Sequence, residues 1–173
     1  CMDSPGHTMC HICLRSHAAE PALFSGDTLF NAGAGNCHNG GNAEQMYNTF
    51  VDQLAKLPDN TRVYAGHDYI ENNLRFTLAR EPDNAAAKTL LPEVTAQDPA
   101  RARVTTLQEE KQINTFLRLS SPSVIAALRE AGLPFDLHIF RRGGRGIRLQ
   151  DKDPFANAHP WSRVLVFWLK SHS

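Results

Sequence analysis

Between Ile12 and Arg80 the chain alternates apolar runs of strand length with apolar patterns at helical spacing, and this restricts it to the α/β class. Residues 11–15 and 21–24 have strand length and are joined by a polar turn around Arg15 to Glu20. Asn31 to Asn42 is a glycine-rich loop, able to reach positive φ and to approach a ligand closely. From Ala43 to Leu57 the residues Met46, Tyr47, Phe50, Val51, Leu54 and Leu57 recur three and four apart, which predicts a helix ended by Pro58-Asp59-Asn60. Arg62 to Ala65 then has strand character and stops at Gly66-His67-Asp68. Glu71 to Arg80 predicts a second helix, and Asp83 is placed to cap a third over Ala85 to Leu91, ended by Pro92. After a polar stretch from Thr95 to Thr106, Ser121-Pro122 followed by Val124, Ile125, Leu128 and Gly132 gives a cap, a first-turn proline, an apolar stripe and a terminal glycine.

Composition narrows the function. The chain has 173 residues with 18 basic and 18 acidic side chains, so it lacks the basic surplus a general nucleic-acid binder needs. No apolar run approaches the roughly 18–20 residues of a membrane-spanning helix. The neutral total is uneven: residues 134–173 carry seven Lys or Arg against three Asp, a basic tail on an acidic body. Cys10 and Cys13 form a C-x-x-C, but no second pair follows to complete a zinc ribbon, and the flanking residues have strand rather than helix character. Separate thiols on a strand are expected, in keeping with a reducing, cytoplasmic setting. Nothing in the pattern calls for an obligate protein partner.

Three segments carry residue types suited to chemistry. His7 follows a Pro-Gly turn, Asp27 stands in Ser25-Gly26-Asp27-Thr28 just after a strand, and His67 stands in Gly66-His67-Asp68-Tyr69 just after another. Loops at strand ends converge while the sheet behind them stays rigid, and α/β folds build sites there. Imidazole and carboxylate are ligands for zinc, iron or manganese.

These segments resemble a known family. PGHTxxH, SGDTLF, AEQMY, RVYAGHDYxxxNLRF, EPDN and TTLxEExxxNxFLR, in that order from about Asp3 to Leu133, are similar to the hydroxyacylglutathione hydrolases, the glyoxalase II enzymes of the metallo-β-lactamase superfamily. The resemblance implies the second half of an αβ/βα sandwich over residues 1–93, a family-type C-terminal helical segment over 94–133, and a divergent basic tail over 134–173. It implies two divalent metal ions, zinc first, with His7 on one, His67 on the other and Asp27 bridging both beside a shared water. It implies hydrolysis of S-(2-hydroxyacyl)glutathione thioesters such as S-lactoylglutathione, in methylglyoxal detoxification. His11 is then structural, and Tyr69 contacts the glutathione moiety. A mononuclear-iron dioxygenase acting on glutathione persulfide, from the same superfamily, would also use His7 and Asp27; retention of His67 and Tyr69 favours the hydrolase. An inactive fragment or interaction module is the third alternative.

Two departures qualify the resemblance. The family's front H-x-H-x-D-H motif does not occur in these residues, and the first residue is Cys1. The chain is therefore expected to be the C-terminal portion of a longer enzyme, weak in metal binding and activity by itself, and to expose a sheet face that makes it self-associate. In the glycine loop, Asn36 and His38 stand where the family has a lysine and an aromatic residue. Both remain candidates for contacting substrate, but the charge that would greet a glutathione carboxylate is gone.

Overall fold

The structure is a computed structural model that describes residues 1–130. The side chain of Leu128, the helix stop at Gly132 and the basic tail over 134–173 lie outside the described residues. The chain folds in the order β1 (Met2–Asp3), β2 (Ile12–Ser16), β3 (Ala22–Gly26), β4 (Leu29–Phe30), β5 (Gly33–Ala34), α1 (Ala43–Asp52), β6 (Arg62–Ala65), α2 (Ile70–Arg80), α3 (Ala85–Thr95), β7 (Thr105–Thr106), α4 (Leu107–Ile113) and α5 (Pro122–Glu130). Five strands form one sheet in the order β1-β2-β3-β6-β7, and β4 and β5 form a separate two-residue-per-strand hairpin. The β3–β6 pair is parallel and the other pairs are antiparallel. A right-handed crossover through α1 is the connection such a parallel pair requires in the great majority of folds.

The strands alternate as half-buried strands should. Cys13, Leu23 and Val63 are each fully buried and point to the helices, where they join Met46, Phe50 and Leu54 in the main core. Leu107, Phe116 and Val124 belong to that same core, so the segment after residue 93 is packed into the body formed by the residues before it. A second cluster of Ile70, Leu74, Ala87, Leu90, Val94 and Ile113 holds α2, α3 and α4 together. The other face of the sheet is also apolar: Ile12, Leu14 and Phe24 are about half exposed, at 52%, 48% and 50%. Leu14, Phe24 and Tyr64 lie in one cross-strand row, and the Phe24 and Tyr64 rings stack at 5.1 Å.

Several local expectations need correction. The helix begun at Ala43 stops at Asp52, and Leu54–Lys56 form a 3-10 turn instead of its last turn. Leu54 is fully buried in the core, while Val51, within α1, is on the surface. Asn84, not Asp83, caps α3, its side-chain oxygen accepting the Ala87 N–H at 3.0 Å. Pro92 does not end α3, which runs on to Thr95; Val94, 4% exposed, anchors that last turn in the second cluster. The polar stretch from Thr95 to Thr106 contains a 3-10 turn over Pro99–Arg101 and the edge strand β7. Cys10 is exposed and Cys13 buried, and both are free thiols.

Glu81, at the end of α2, ties α2 to the segment leading into α5. Its carboxylate accepts from Arg118 Nε at 2.8 Å and Nη2 at 2.9 Å, and from the Ser121 and Ser123 hydroxyls at 2.8 and 3.0 Å. Burial by itself would raise the pKa of this carboxyl, but the Arg118 and serine donors together outweigh it and hold the pKa below the usual glutamate value. A carboxylate depressed on folding stabilises above its unfolded pKa, and that stabilisation is lost as pH falls through the folded pKa. Glu81→Gln is expected to cost about 3 kcal/mol at pH 7 by leaving the guanidinium unpaired. The gap from wild type should close in acid, below about pH 4. Urea unfolding of both proteins at pH 7 and pH 3 checks this; an equal gap at both pH values would contradict it.

Candidate functional site

The parallel pairing of β3 and β6 brings two of the three chemical segments side by side. Their carboxyl ends are tied by the Gly66 N–H donating to the Gly26 carbonyl at 2.9 Å, so Asp27 and His67 leave neighbouring strand ends. Gly66 has no room for a side chain, because a Cβ there would come within 2.6 Å of Asp27 Oδ1. A Cβ on Gly35 would likewise run into the Asp27 carbonyl, with His7 Nδ1 at 3.2 Å. These two glycines let the carboxylate sit down between the loops.

His7 reaches the same point from the β1–β2 loop. That loop is fastened to α1 by the Thr49 hydroxyl donating to the Pro5 carbonyl at 2.8 Å and the Asn42 N–H donating to the Gly6 carbonyl at 2.8 Å. His7 Nδ1 lies 2.6 Å from the Asn36 carbonyl oxygen. A carbonyl only accepts, so Nδ1 carries the proton and donates, and in the neutral imidazole the lone pair is then on Nε2. Nε2 faces Asp27.

Asp27 stands between the two histidines, one on each oxygen. His7 Nε2 is 3.6 Å from Oδ2 and His67 Nε2 is 3.4 Å from Oδ1. Among the described residues no group of three or more His, Cys, Asp or Glu side chains gathers round one point as the ligands of a single ion would. The arrangement is two pairs sharing a carboxylate. Two donors about 2.0–2.1 Å from one tetrahedral zinc stand about 3.4 Å apart. The His–Asp separations match that spacing and are long for a direct hydrogen bond. In donor type and spacing, and at His7 in tautomer, the residues fit two divalent cations, and each cation would have two protein donors here.

His11 is not part of this group. Its Nδ1 is 2.9 Å from both the Ser4 and Thr28 hydroxyls, behind the cleft. Burial, then the neighbouring His7, lower its pKa, with Asp27 opposing them. The aromatic wall comes from the hairpin and the residue that precedes α2: Phe30 meets Tyr69 edge-on at 5.3 Å, and Tyr69 stacks on His67 at 5.3 Å. The cleft measures about 450 Å³ and is lined by His7, Asp27, Phe30, His67 and Tyr69 with Gly35, Asn36, Asn39, Asn72 and Asn73.

The structure thus brings together His7, Asp27, His67, Tyr69 and Asn36. His38 is exposed and lies outside the lining; its backbone N–H donates to Asn36 Oδ1 at 3.1 Å, and Asn39 lines the cleft instead. Phe30, Asn39, Asn72 and Asn73 were not named as site residues from sequence, although Phe30 and Asn73 fall within the SGDTLF and RVYAGHDYxxxNLRF segments. The first helical turn after Gly66-His67-Asp68-Tyr69 was the one available signal, since residues there necessarily border the same loop. No residue type could have announced the Asn36 carbonyl.

The fold is mixed α/β. Among solved structures it is similar to BLEG-1, a B3 metallo-β-lactamase, at TM-score 0.45 and 21% identity, covering 67% of this chain and 39% of that one. It is also similar to ETHE1 from Myxococcus xanthus at TM-score 0.45 and 28% identity, covering 77% and 45%. The chain is related to the hydroxyacylglutathione hydrolases and matches the C-terminal half of those proteins. The family description "Hydroxyacylglutathione hydrolase C-terminus" matches residues 68–142. The hydroxyacylglutathione hydrolase of Polaromonas sp. (strain JS666) is 76% identical over 131 residues, which is 76% of this chain and 50% of that protein. That of Nitrosococcus oceani is 64% identical over 129 residues, 75% and 49%. The chain spans about half the length of these curated relatives. Among the described residues no helix is long and apolar enough to cross a membrane.

Proposed function

We propose that the cleft is one half of a metal-dependent thioester hydrolase site, acting on S-(2-hydroxyacyl)glutathione thioesters such as S-lactoylglutathione. The observation that carries this is Asp27 held between His7 and His67, one carboxylate oxygen to each imidazole. Both histidines present Nε2 to the shared carboxylate, as ligands of two adjacent divalent cations would, with zinc the first choice for nitrogen and oxygen donors. Divalent cations bound there would supply a water acidic enough to ionise near neutral pH and polarise the thioester carbonyl. The Asn36 carbonyl holds His7 in the tautomer that leaves Nε2 bare. Phe30 and Tyr69 give an apolar wall against which the acyl group can lie away from bulk water. A thiol with pKa about 8.5 leaves readily, so no strong general acid is needed at the sulfur.

The amides of Asn36, Asn39 and Asn72 suit the peptide groups of a glutathione-like carrier. Among the described lining residues there is no lysine or arginine to meet its carboxylates. A mononuclear-iron oxygenase would need only the His7 side of Asp27, and the placement of His67 against the other oxygen favours the two-cation hydrolase.

The test uses the half of the Polaromonas relative that this chain does not match. Joined ahead of this chain and supplied with zinc, it should give S-lactoylglutathione hydrolysis that chelation abolishes, while the 173-residue chain alone is expected to show less than about one-thousandth of that rate, about 4 kcal/mol in barrier. Full metal-dependent activity in the chain alone, or none in the joined protein, would overturn the proposal.

A further inference from the structure

The β4–β5 hairpin connects to the cleft at both of its ends. Asp27 stands just before it, Phe30 within it packs against His67 and Tyr69, and just after it the Asn36 carbonyl holds the proton of His7 Nδ1. Its far tip, Asn31-Ala32, points away from the cleft and is buried. Ala32 has φ 58°, the left-handed region that disfavours any residue with a Cβ by roughly 1–2 kcal/mol. Something must hold that turn in place.

The holder is Glu110 of α4, a carboxylate with no exposed surface. The Ala32 N–H donates to both of its oxygens at 3.0 Å, the Thr105 hydroxyl donates to Oε1 at 2.6 Å, and Asn114 Nδ2 donates to Oε2 at 2.8 Å. The grip spreads from there. Asn31 Nδ2 donates to the Thr105 hydroxyl at 2.7 Å, Asn114 Nδ2 to the Gly33 carbonyl at 2.9 Å, and Asn73 Nδ2 to the Asn31 carbonyl at 2.9 Å. Every donor that meets Glu110 requires an acceptor there, which a carboxylate supplies on both oxygens and an amide on one.

We infer that Glu110 is a positioning residue for the cleft: by gripping the hairpin tip it fixes where the two ends of the hairpin hold Asp27 and the Asn36 carbonyl. Glu110 does not line the cleft and does no chemistry. It acts through about five residues of short hairpin on each side, much as outer partners of metal-ligating histidines set ring orientation and ligand basicity, at about 10–100-fold in affinity. Only the metal-affinity part of the test rests on the function proposed above.

The experiment compares Glu110→Gln with wild type in the 173-residue chain at pH 8, where the carboxyl, pushed up to about 7 by burial, is ionised. Imidazole 15N NMR reads the His7 tautomer without metal, and a competition titration reads Co²⁺ affinity. Wild type should show the single Nδ1–H form; Glu110→Gln should keep its far-UV circular dichroism but show mixed tautomers and about tenfold weaker Co²⁺ binding. Glu81→Gln, destabilised elsewhere, should leave the tautomer unmoved, which separates positioning from general loss of stability. If Glu110→Gln does not fold, Thr105→Val removes one donor of the same grip and is scored in the same way. A folded variant with His7 still in one tautomer overturns the inference. Absence of Co²⁺ binding in wild type would count against the proposed function alone, because the tautomer is read without metal.

Discussion

Asp27→Asn is expected to weaken Zn²⁺ or Co²⁺ binding by the 173-residue chain about 100-fold, or about 2.7 kcal/mol. The two carboxylate oxygens face different histidines, so one substitution strips a charged donor from both pairs at once. What remains is one imidazole on each side, against the three or four donors of ordinary protein zinc sites. His67→Ala removes a donor from one pair only and should cost clearly less. Even unaltered, two donors per cation make the chain a weak binder compared with a complete dinuclear site. Competition against a chromophoric chelator gives all three affinities. Asp27→Asn within about threefold of wild type, where His67→Ala is not, would show that the carboxylate is not shared.

The second large effect concerns the outer face of the sheet. The 173-residue chain should sediment well above its monomer mass of 19.2 kDa, with self-association through Ile12, Leu14 and Phe24. An antiparallel sheet with one face in water normally carries polar residues there, and a contiguous apolar row marks a face built to be covered. Proteins the length of the curated relatives have a further half with which to cover such a face; this chain in solution has another copy of itself. Leu14→Lys combined with Phe24→Glu puts opposite charges on a registered cross-strand pair, so the sheet keeps a favourable pairing while the face becomes polar. Both side chains are half exposed, so the cost to monomer stability should stay near 1 kcal/mol. The double variant should be monomeric by sedimentation velocity at concentrations where wild type is not. A monodisperse wild-type monomer at about 100 μM would remove the basis of this expectation.

Much of the local structure was legible because its cause is local. The strand Arg62–Ala65 and the helix ending at Arg80 follow from short-range pattern, and Pro122 marks the first turn of α5. The Thr106-x-x-Glu109 capping box was equally local, but these residues were read only as part of the TTLxEExxxNxFLR segment and not as a helix start. The strand order was not legible, because β3 skips a hairpin and a helix before pairing with β6, and no short window records that choice. The cleft divides in the same way. His7, Asp27 and His67 stand out as strand-end residues of metal-binding type, and the family resemblance arranges them. Asn73 resembles any polar residue of an amphipathic helix, and only the hairpin carbonyl above it makes it a buried donor. Glu110 falls in the TTLxEExxxNxFLR segment, but between Glu109 and Lys111 its local character is that of a solvated helix face. Its burial is decided by Ala32, far back in the chain, and no property of its neighbours signals that.

The parallel β3–β6 pair also separates the geometry of the site from the length of chain that makes it. Asp27 and His67 are neighbours because two strand ends are, and the Gly66–Gly26 hydrogen bond sets their distance whatever lies between. The exposed turn at Pro58-Asp59-Asn60 closes that intervening stretch at the opposite end of β6 from His67. Residues added or lost between the two strands lengthen or shorten the path between carboxylate and imidazole without altering their spacing, provided the Gln108 N–H to Asp59 carbonyl bond and the Lys111–Asp59 ion pair that fasten this turn to α4 are kept.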